Sequence, residues 1–245
     1  MISHVTIILP AKNEAANIAW MIPRLVSTYK KSLEEIIIID DCSTDDTHNV
    51  AINLIKKYKL VRLISRKPPS GVGLAIREGI AHISKRTKYI LTLDSDFRAN
   101  VADIKTFFLT IDSYDGLVGS RFIRSDSLKN YPLLKRIANR LYHFFAKILL
   151  GIPHADVTNN FKLYRRGLVE SITPLLTSSD FSINAELGYY PILLGARIGE
   201  IPVRWEERTP QMGLSKFKIL RVGPSYVRVF FRLFFIKSFR THRTN

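Results

Sequence analysis

Short apolar runs and longer segments of helical spacing alternate through the first 115 residues. The apolar runs predict buried strands at 5–9, 35–39, 61–64 and 89–93. Helices are predicted between and after them, at 13–29, after a cap at Ser43 or Thr44, at 71–84 and at 101–111. Four strand–helix units in series predict an α/β fold with a doubly wound, mostly parallel sheet and helices on both faces.

Two segments of the second half combine an apolar helical face with basic residues. In 133–149 the apolar positions are Leu134, Ile137, Leu141, Phe144, Phe145 and Ile148, and in the C-terminal segment they are Val227, Phe230, Phe231, Phe234 and Phe235. Such a helix can lie in the headgroup plane of an anionic membrane, or it can pack its apolar face on the domain. The first segment leaves both alternatives open, whereas the basic, acid-free end of the chain favours the membrane for the second.

Acidic residues follow three of the predicted strands. Glu14 comes after the first strand, Asp41 after the second, and Asp94 and Asp96 after the fourth. Because side chains alternate in an extended chain, Asp94 and Asp96 project to the same side and repel each other unless a cation lies between them. A hard ion such as Mg²⁺ or Mn²⁺, shared with a diphosphate, would satisfy this pair. A polar turn in which Asp94 caps the next segment is the structural alternative, and the triplet alone does not decide between them.

Composition narrows the class of protein. With 245 residues, 46% of them hydrophobic and 24% charged, the chain can form one domain with a full core. No apolar run approaches the ~18 residues of a membrane span, and the N-terminus does not resemble a signal peptide. Cys42 is the single cysteine, which excludes an internal disulfide. We therefore expect a protein of the cytoplasm or of the cytoplasmic face of a membrane.

The net charge of +16 is concentrated in two stretches. Residues 208–245 contain nine Lys or Arg and no acid, and residues 127–155 contain five and no acid. Such patches attract nucleic acid, an anionic membrane or a phosphorylated substrate. We do not expect nucleic acid as a partner, because the acidic strand ends would repel its backbone and the chain lacks the known recognition signatures. Walker, zincin and α/β-hydrolase motifs are also missing.

Six motifs in order resemble glycosyltransferase family 2, and within it the dolichyl-phosphate mannose synthases and related polyprenyl-phosphate glycosyltransferases. They occupy residues 7–14, 39–43, 94–96, 119–121, 159–163, and 208 with 213–216. The resemblance implies the GT-A fold, a Rossmann-like nucleotide-sugar fold, for a catalytic domain at 1–220. Residues 221–245 would then form an amphipathic, basic C-terminal helix and tail at a membrane surface.

The same resemblance implies a role for individual residues. The nucleotide sugar would contact Pro10, Lys12, Glu14, Ile39, Asp41, Asp94, Ser95, Asp96 and Arg98. Asp96, together with Asp94, would bind the Mg²⁺ or Mn²⁺ ion. The acceptor phosphate would contact Arg121, Arg208, Ser215 and Lys216, and the catalytic set would be Asp94, Asp96, Arg121 and Arg208. Lys12 stands where the family often has an aromatic residue, and Arg98 stands where it often has glutamine.

A missing motif favours a lipid phosphate as the acceptor. Processive members of the family carry Gln-x-x-Arg-Trp near the acceptor, whereas this chain has Arg204 and Trp205 in a different context. A phosphate monoester is already largely dianionic at neutral pH and needs no general base. The sequence therefore predicts inverting transfer of a hexose from a donor of the GDP-mannose or UDP-glucose type to a polyprenyl or dolichyl phosphate. A membrane-spanning partner protein is left open.

Two other enzymatic functions are alternatives to this prediction. A transferase acting on a hydroxyl acceptor, in cell-envelope polysaccharide or glycoprotein synthesis, would need a general base, for which Asp156, Glu186, Glu206 and Glu207 are the candidates. A nucleotidyltransferase that makes the sugar donor is disfavoured, because no glycine-rich basic loop follows the first strand.

Overall fold

The computed structural model describes residues 2–129, 131–206, 212 and 217–241. The strands in these ranges are β1 (Val5–Ala11), β2 (Leu33–Asp40), β3 (Val61–Ser65), β4 (Tyr89–Thr92), β5 (Gly116–Ser120), β6 (Leu128–Lys129), β7 (Lys162–Arg165), β8 (Ile198–Pro202) and β9 (Trp205–Glu206). The α-helices are α1 (Ala15–Tyr29), α2 (Thr47–Lys57), α3 (Val72–Ala81), α4 (Ile104–Thr110), α5 (Leu133–Phe145), α6 (Arg166–Ile172), α7 (Ile183–Leu193) and α8 (Ile219–Thr241). A π-helical turn, Ala146–Leu150, continues α5.

Seven strands form one sheet in the order β3-β2-β1-β4-β7-β5-β8. β1 is parallel to β2 and β4, β2 is parallel to β3, and β5 is parallel to β8. β7 is antiparallel to both of its neighbours, β4 and β5. The sheet is therefore mostly parallel, as predicted, and the carboxyl ends of β1, β2 and β4 meet at one edge, where ligands bind in sheets of this type.

The central strands are apolar because both faces of the sheet are covered. Along β2, Ile36 and Ile38 belong to one core, while Ile37 and Ile39 belong to the other. The first core includes side chains from α1, α2 and α4, and the second includes side chains from α3, α6 and α7. This arrangement confirms the predicted helices on both faces and explains why the strands have no polar side.

The predicted cap of the second helix was wrong. The helix α2 begins at Thr47, and Asp45 accepts a 2.9 Å hydrogen bond from the Thr47 amide. The two predicted caps instead hold the β1–α1 turn: the Asn13 amide donates to Ser43 Oγ over 2.9 Å, and the Thr44 amide donates to Asn13 Oδ1 over 2.7 Å. The Ser43 hydroxyl and the Thr44 amide thus join two segments that are thirty residues apart in the sequence.

The helices α5 and α8 differ in how they bury their apolar residues. The predicted apolar positions of 133–149 are between 48% and 61% exposed, so about half of this face is open to its surroundings. α8 buries Val229 and Leu233 in the core, while Phe231 and Phe235 on another side are each 56% exposed. Within the described ranges, every helix is too short or too polar to span a bilayer.

Candidate functional site

A cavity of about 690 Å³ opens at the carboxyl edge of the sheet. Its wall on the sheet side consists of residues that follow β1, β2 and β4, namely Lys12, Glu14, Asp41, Asp94, Ser95, Asp96 and Arg98, together with Pro10 at the end of β1. The cavity continues past Arg121 into the space between α5 and α8. The sheet edge, where several predicted site residues meet, and the two apolar helices thus share one cavity.

Asp94 and Asp96 both line this cavity. Their backbone forms a turn, in which the Phe97 amide donates to the Asp94 carbonyl over 3.1 Å. Asp94 does not cap the 3₁₀ turn that follows, because Phe97 occupies the cap position and no side chain caps it. Instead, Asp94 Oδ1 accepts a 2.6 Å hydrogen bond from Nδ2 of the buried Asn160. The two carboxylates are therefore presented to the cavity by the turn that follows β4.

The carboxylates of Asp94 and Asp96 suit a hard divalent ion that also binds a substrate. Among the residues that the structure describes, no group of three or more His, Cys, Asp or Glu side chains could by itself hold a metal ion. Mg²⁺ and Mn²⁺ commonly take one or two protein carboxylates and fill their other positions with water and phosphate oxygens. Two carboxylates beside a large cavity fit this pattern.

The residues after β1 and β2 form a polar network at the same edge. Asp41 is almost fully buried, and its Oδ2 accepts from the Gly71 amide and from Ser70 Oγ, each over 2.7 Å. Arg66 pairs with the other oxygen of this carboxylate, and Lys12 Nζ donates to Ser70 Oγ over 2.7 Å. The network joins the loop after β3 to the ends of β1 and β2.

Ile39 and Arg98 were predicted to contact the nucleotide sugar, but the structure places Ile39 in the core and anchors Arg98 on α1. Ile39 is fully buried in the core and does not line the cavity. Arg98 does line it, but its guanidinium group is anchored on α1: it donates to Asn17 Oδ1 over 2.7 and 3.1 Å and to the Ala16 carbonyl over 3.2 Å. Burial lowers the pKa of Arg98, and the nearby charge of Arg24 acts in the same direction. Arg98 is thus a fixed cation at the wall.

Arg121 forms a buried, two-pronged ion pair with Asp156. Arg121 Nε donates to Asp156 Oδ2 over 2.6 Å, and Nη2 donates to Oδ1 over 3.0 Å. Burial opposes the charge on Asp156, yet the Arg121 guanidinium outweighs it and holds the pKa of Asp156 well below its usual range. Asp156 is therefore a fixed counter-ion of Arg121 and a poor general base.

The other candidate bases that the structure describes are Glu186 and Glu206, and one of these two lines the cavity. Glu186 is fully buried away from the cavity, where it accepts from the amides of Thr177 and Ser178 and from Arg232 of α8. Glu206 lines the cavity and is exposed. Glu207, Arg208, Ser215 and Lys216 lie outside the described residues.

The structure adds cavity residues that the sequence analysis did not select. On α5, Lys135, Asn139 and Tyr142 line the cavity, and Lys135 Nζ lies 5.7 Å from the centre of the Phe217 ring on the opposite side. The i, i+4, i+7 spacing of these three polar residues would have indicated a second face of α5, distinct from its apolar face. We call the space between Leu141, Phe145, Val222 and Val227 the α5–α8 groove.

Comparison with known proteins identifies one family and several relatives. The family model described as Glycosyl transferase family 2 matches residues 6–173. A dolichyl-phosphate beta-glucosyltransferase from Dictyostelium discoideum is 30% identical over 220 residues, which cover 83% of this chain and 67% of the relative. An undecaprenyl-phosphate mannosyltransferase from Micrococcus luteus is 24% identical over 228 residues, which cover 92% of each protein.

Among solved structures, the chain is similar to glucosyl-3-phosphoglycerate synthase from Mycobacterium tuberculosis in complex with Mn²⁺, uridine diphosphate and phosphoglyceric acid. The TM-score is 0.69 at 17% sequence identity, and the match covers 96% of this chain and 78% of the synthase. At this identity the likeness establishes the shared fold.

Proposed function

The chain belongs to glycosyltransferase family 2, and from this premise we propose that it transfers a hexose from a nucleotide sugar to a polyprenyl or dolichyl phosphate. The observation that carries the proposal is the continuity of the cavity, which has carboxylates and cations at the sheet edge and the α5–α8 groove at its other end. Such a cavity suits a donor with a charged diphosphate and an acceptor with an apolar tail. The two sequence relatives are named for transfer to polyprenyl phosphates.

The donor would bind at the sheet edge. We assign its nucleoside to the network of Lys12 and Asp41 and its diphosphate to Asp94, Asp96 and the divalent ion that these carboxylates would hold. When bound, Mg²⁺ or Mn²⁺ would neutralise the charge that develops on the nucleoside diphosphate as its bond to the sugar breaks. Asn160 orients Asp94 toward the same space through its 2.6 Å hydrogen bond.

The acceptor phosphate would bind between the sheet edge and the groove. Arg121 and Lys135 both line this part of the cavity, and Arg208, Ser215 and Lys216 belong to the same proposed subsite. Two phosphorylated substrates repel each other, and a cation ~4 Å from a phosphate offsets this by ~4 kcal/mol at a dielectric constant of ~20. A phosphate acceptor is already an anion and needs no general base. The reaction can therefore proceed although Asp156 is held in the ion pair with Arg121.

The lipid tail would leave the cavity through the α5–α8 groove. Leu141, Phe145 and Val227 line the cavity and are also 52%, 48% and 52% exposed, so they would contact both the tail and a bilayer. The exposed apolar face of α5 would lie in the headgroup region of an anionic membrane, at its cytoplasmic face. Neighbouring basic residues such as Arg136 and Lys147 would add about 1 kcal/mol each. Residues 221–245 would contribute to the same membrane surface.

Transfer of radiolabelled sugar tests the proposal directly. GDP-mannose, UDP-glucose and UDP-N-acetylglucosamine would each be incubated with a short polyprenyl phosphate and Mg²⁺ or Mn²⁺, with EDTA as the control. We expect metal-dependent labelling of the lipid from one donor. Donor hydrolysis without labelled lipid would contradict the lipid acceptor and favour a hydroxyl acceptor. Glu206, which lines the cavity, and Glu207, which lies outside the described residues, would then be the candidate bases.

A further inference from the structure

Lys162 is a fully buried lysine that follows Asn159 and Asn160, two residues that line the cavity. It lies at the start of β7, in register with Thr92 of β4 on one side and Val118 of β5 on the other. Its Nζ donates a hydrogen bond to the Asn159 carbonyl. Burying an ammonium group at the centre of a sheet is costly unless it is well paired, so its presence requires an explanation.

The surroundings of Lys162 do not compensate for the loss of water. Burial lowers the pKa of Lys162 to about 7, against the attraction of the Asp156 and Asp94 carboxylates, and Arg121 adds to the lowering. An ammonium group can donate three hydrogen bonds, but Lys162 has a single hydrogen-bond partner among the described residues. The lysine therefore opposes the stability of the fold, which is typical of residues retained for function.

The turn at Asn159 and Asn160 connects Lys162 to the donor site. Lys162 holds the Asn159 carbonyl, and Thr92 Oγ1 donates to the Asn160 carbonyl over 3.0 Å. The side chain of Asn160 then donates to Asp94 over 2.6 Å. Because an ionised carboxylate can only accept hydrogen bonds, the amide of Asn160 must turn its NH₂ group toward Asp94. The orientation of Asp94 thus depends on where the turn is fixed.

We propose that Lys162 is a positioning residue of the transfer site, which fixes the turn at Asn159 and Asn160 and, through Asn160, the carboxylate of Asp94. This inference rests on the proposed function, because Asp94 is assigned to the donor there. It predicts that the lysine contributes to transfer at the expense of stability. A lysine that merely supported the sheet would contribute to stability and leave the kinetics of the folded protein unchanged.

Lys162→Met, which keeps the length of the side chain without its charge, tests the proposal. We expect the free energy of unfolding at pH 7 to be equal to that of the wild type or higher, whereas kcat/KM for the sugar donor should fall about tenfold or more. Tyr164→Phe is the matched control. Tyr164 is buried on the same strand and donates to the Leu187 carbonyl over 2.7 Å without lining the cavity. This control should lose stability and keep its transfer kinetics.

Two further variants test the route through Asn160. Lys162→Gln, which can still donate to the Asn159 carbonyl, should lose less transfer than Lys162→Met. In a double-mutant cycle with Asn160→Ala, the losses in kcat/KM should be non-additive, because both changes act on Asp94 through one chain of contacts. Wild-type kinetics in Lys162→Met, or fully additive losses in the cycle, would overturn the proposal.

The failure of this inference can be distinguished from a failure of the proposed function. If the wild type transfers no sugar to any lipid phosphate, the proposed function is wrong. Binding of UDP or GDP in the presence of Mn²⁺ can still be compared by calorimetry between the wild type and Lys162→Met. We expect binding to be weakened about fivefold or more. Equal affinity in the two proteins would show that Lys162 does not position the donor site.

Discussion

Arg121 and Asp156 show how the surroundings of a carboxylate determine what it can do. From the sequence, Asp156 is a candidate base for a hydroxyl acceptor, because the residues that pair with a carboxylate cannot be identified from its position in the chain. In the structure Asp156 is fully buried against Arg121 and accepts two N–H groups of its guanidinium. A carboxylate held as an anion in this way stabilises the fold and orients the arginine, which itself lines the cavity.

Asp156→Asn should therefore destabilise the protein by about 3–5 kcal/mol, because it leaves the Arg121 charge buried without its counter-ion. Denaturation in urea at pH 7 would measure this loss. Asp126→Asn is the control, since Asp126 pairs with Arg124 at the surface and its replacement should have no measurable effect. A loss of kcat in Asp156→Asn without any loss of stability would contradict this role and restore Asp156 as a general base.

Asp96 is the residue whose replacement tests the metal. Asp96→Asn keeps the shape of the side chain but removes the charge that a divalent ion requires, so transfer should fall by roughly 100-fold or more. The folded structure should persist, as judged by an unchanged unfolding transition. Asp112→Asn, at an exposed position of the surface, should transfer sugar at the wild-type rate.

Removal of the metal gives an independent measurement of the same role. EDTA should abolish transfer by the wild type, and added Mg²⁺ or Mn²⁺ should restore it. Transfer that persists in Asp96→Asn with its metal dependence unchanged would show that the ion binds elsewhere.

At the scale of elements, the apolar face of α5 carries a prediction about membranes. Replacing Leu134, Ile137 and Phe144 together with glutamine should leave the free energy of unfolding unchanged within about 0.5 kcal/mol, because these side chains are 61%, 48% and 55% exposed. Binding to anionic vesicles should weaken about tenfold or more, since each apolar side chain that leaves a bilayer loses about 1.5–3 kcal/mol if it was fully buried there.

Co-sedimentation with vesicles would measure the binding. Leu109→Gln is the matched control, because Leu109 on α4 is 63% exposed but lies on a different helix. If the triple variant binds vesicles as the wild type does, α5 is not a membrane contact. If instead the variant unfolds, its apolar face supports the fold.

The strands and helices differ in how far they could be predicted. β1, β2 and β4 are buried on both faces, so their apolar runs identified them. β3 lies at the edge of the sheet and is partly exposed, but its run 61–64 was apolar enough to be predicted. β7 was not predicted as a strand, because its position between β4 and β5 depends on pairing with residues about 70 and 45 positions away, such as Leu91 and Leu117. β7 also begins with Lys162 and ends with Arg165, so it carries no apolar run of its own.

The same distinction applies to the candidate site. Asp41, Asp94 and Asp96 could be predicted to share one edge, because they follow strands whose carboxyl ends meet there. Lys135 and Asn139 could not be predicted as site residues. The face of α5 that lines the cavity is determined by how α5 packs beside α8. Ile39 shows the converse: the motif that contains it lies at the edge, but its side chain alternates into the core.

For the whole molecule, Lys162 predicts how stability depends on pH. Its pKa is lowered to about 7 in the folded protein, whereas a lysine in an unfolded chain has a pKa of about 10.4. Between these values the unfolded state binds more protons than the folded state. The free energy of unfolding should therefore rise with pH through this window, by at most about 1.4 kcal/mol per pH unit from this group. Below pH 7 both states are protonated and the cost of burying the charge is present in full.

Other groups titrate in the same range, so the difference between two proteins is the informative quantity. The free energy of unfolding of the wild type minus that of Lys162→Met, measured in urea from pH 6 to pH 10, should be flat below about pH 7 and increase above it. Lys88→Met removes an exposed lysine, and its curve should run parallel to that of the wild type. If the curves of the wild type and Lys162→Met were also parallel, the pKa of Lys162 would be the same in the folded and unfolded states. Burial of the ammonium group would then carry no cost, and Lys162 would not oppose the stability of the fold.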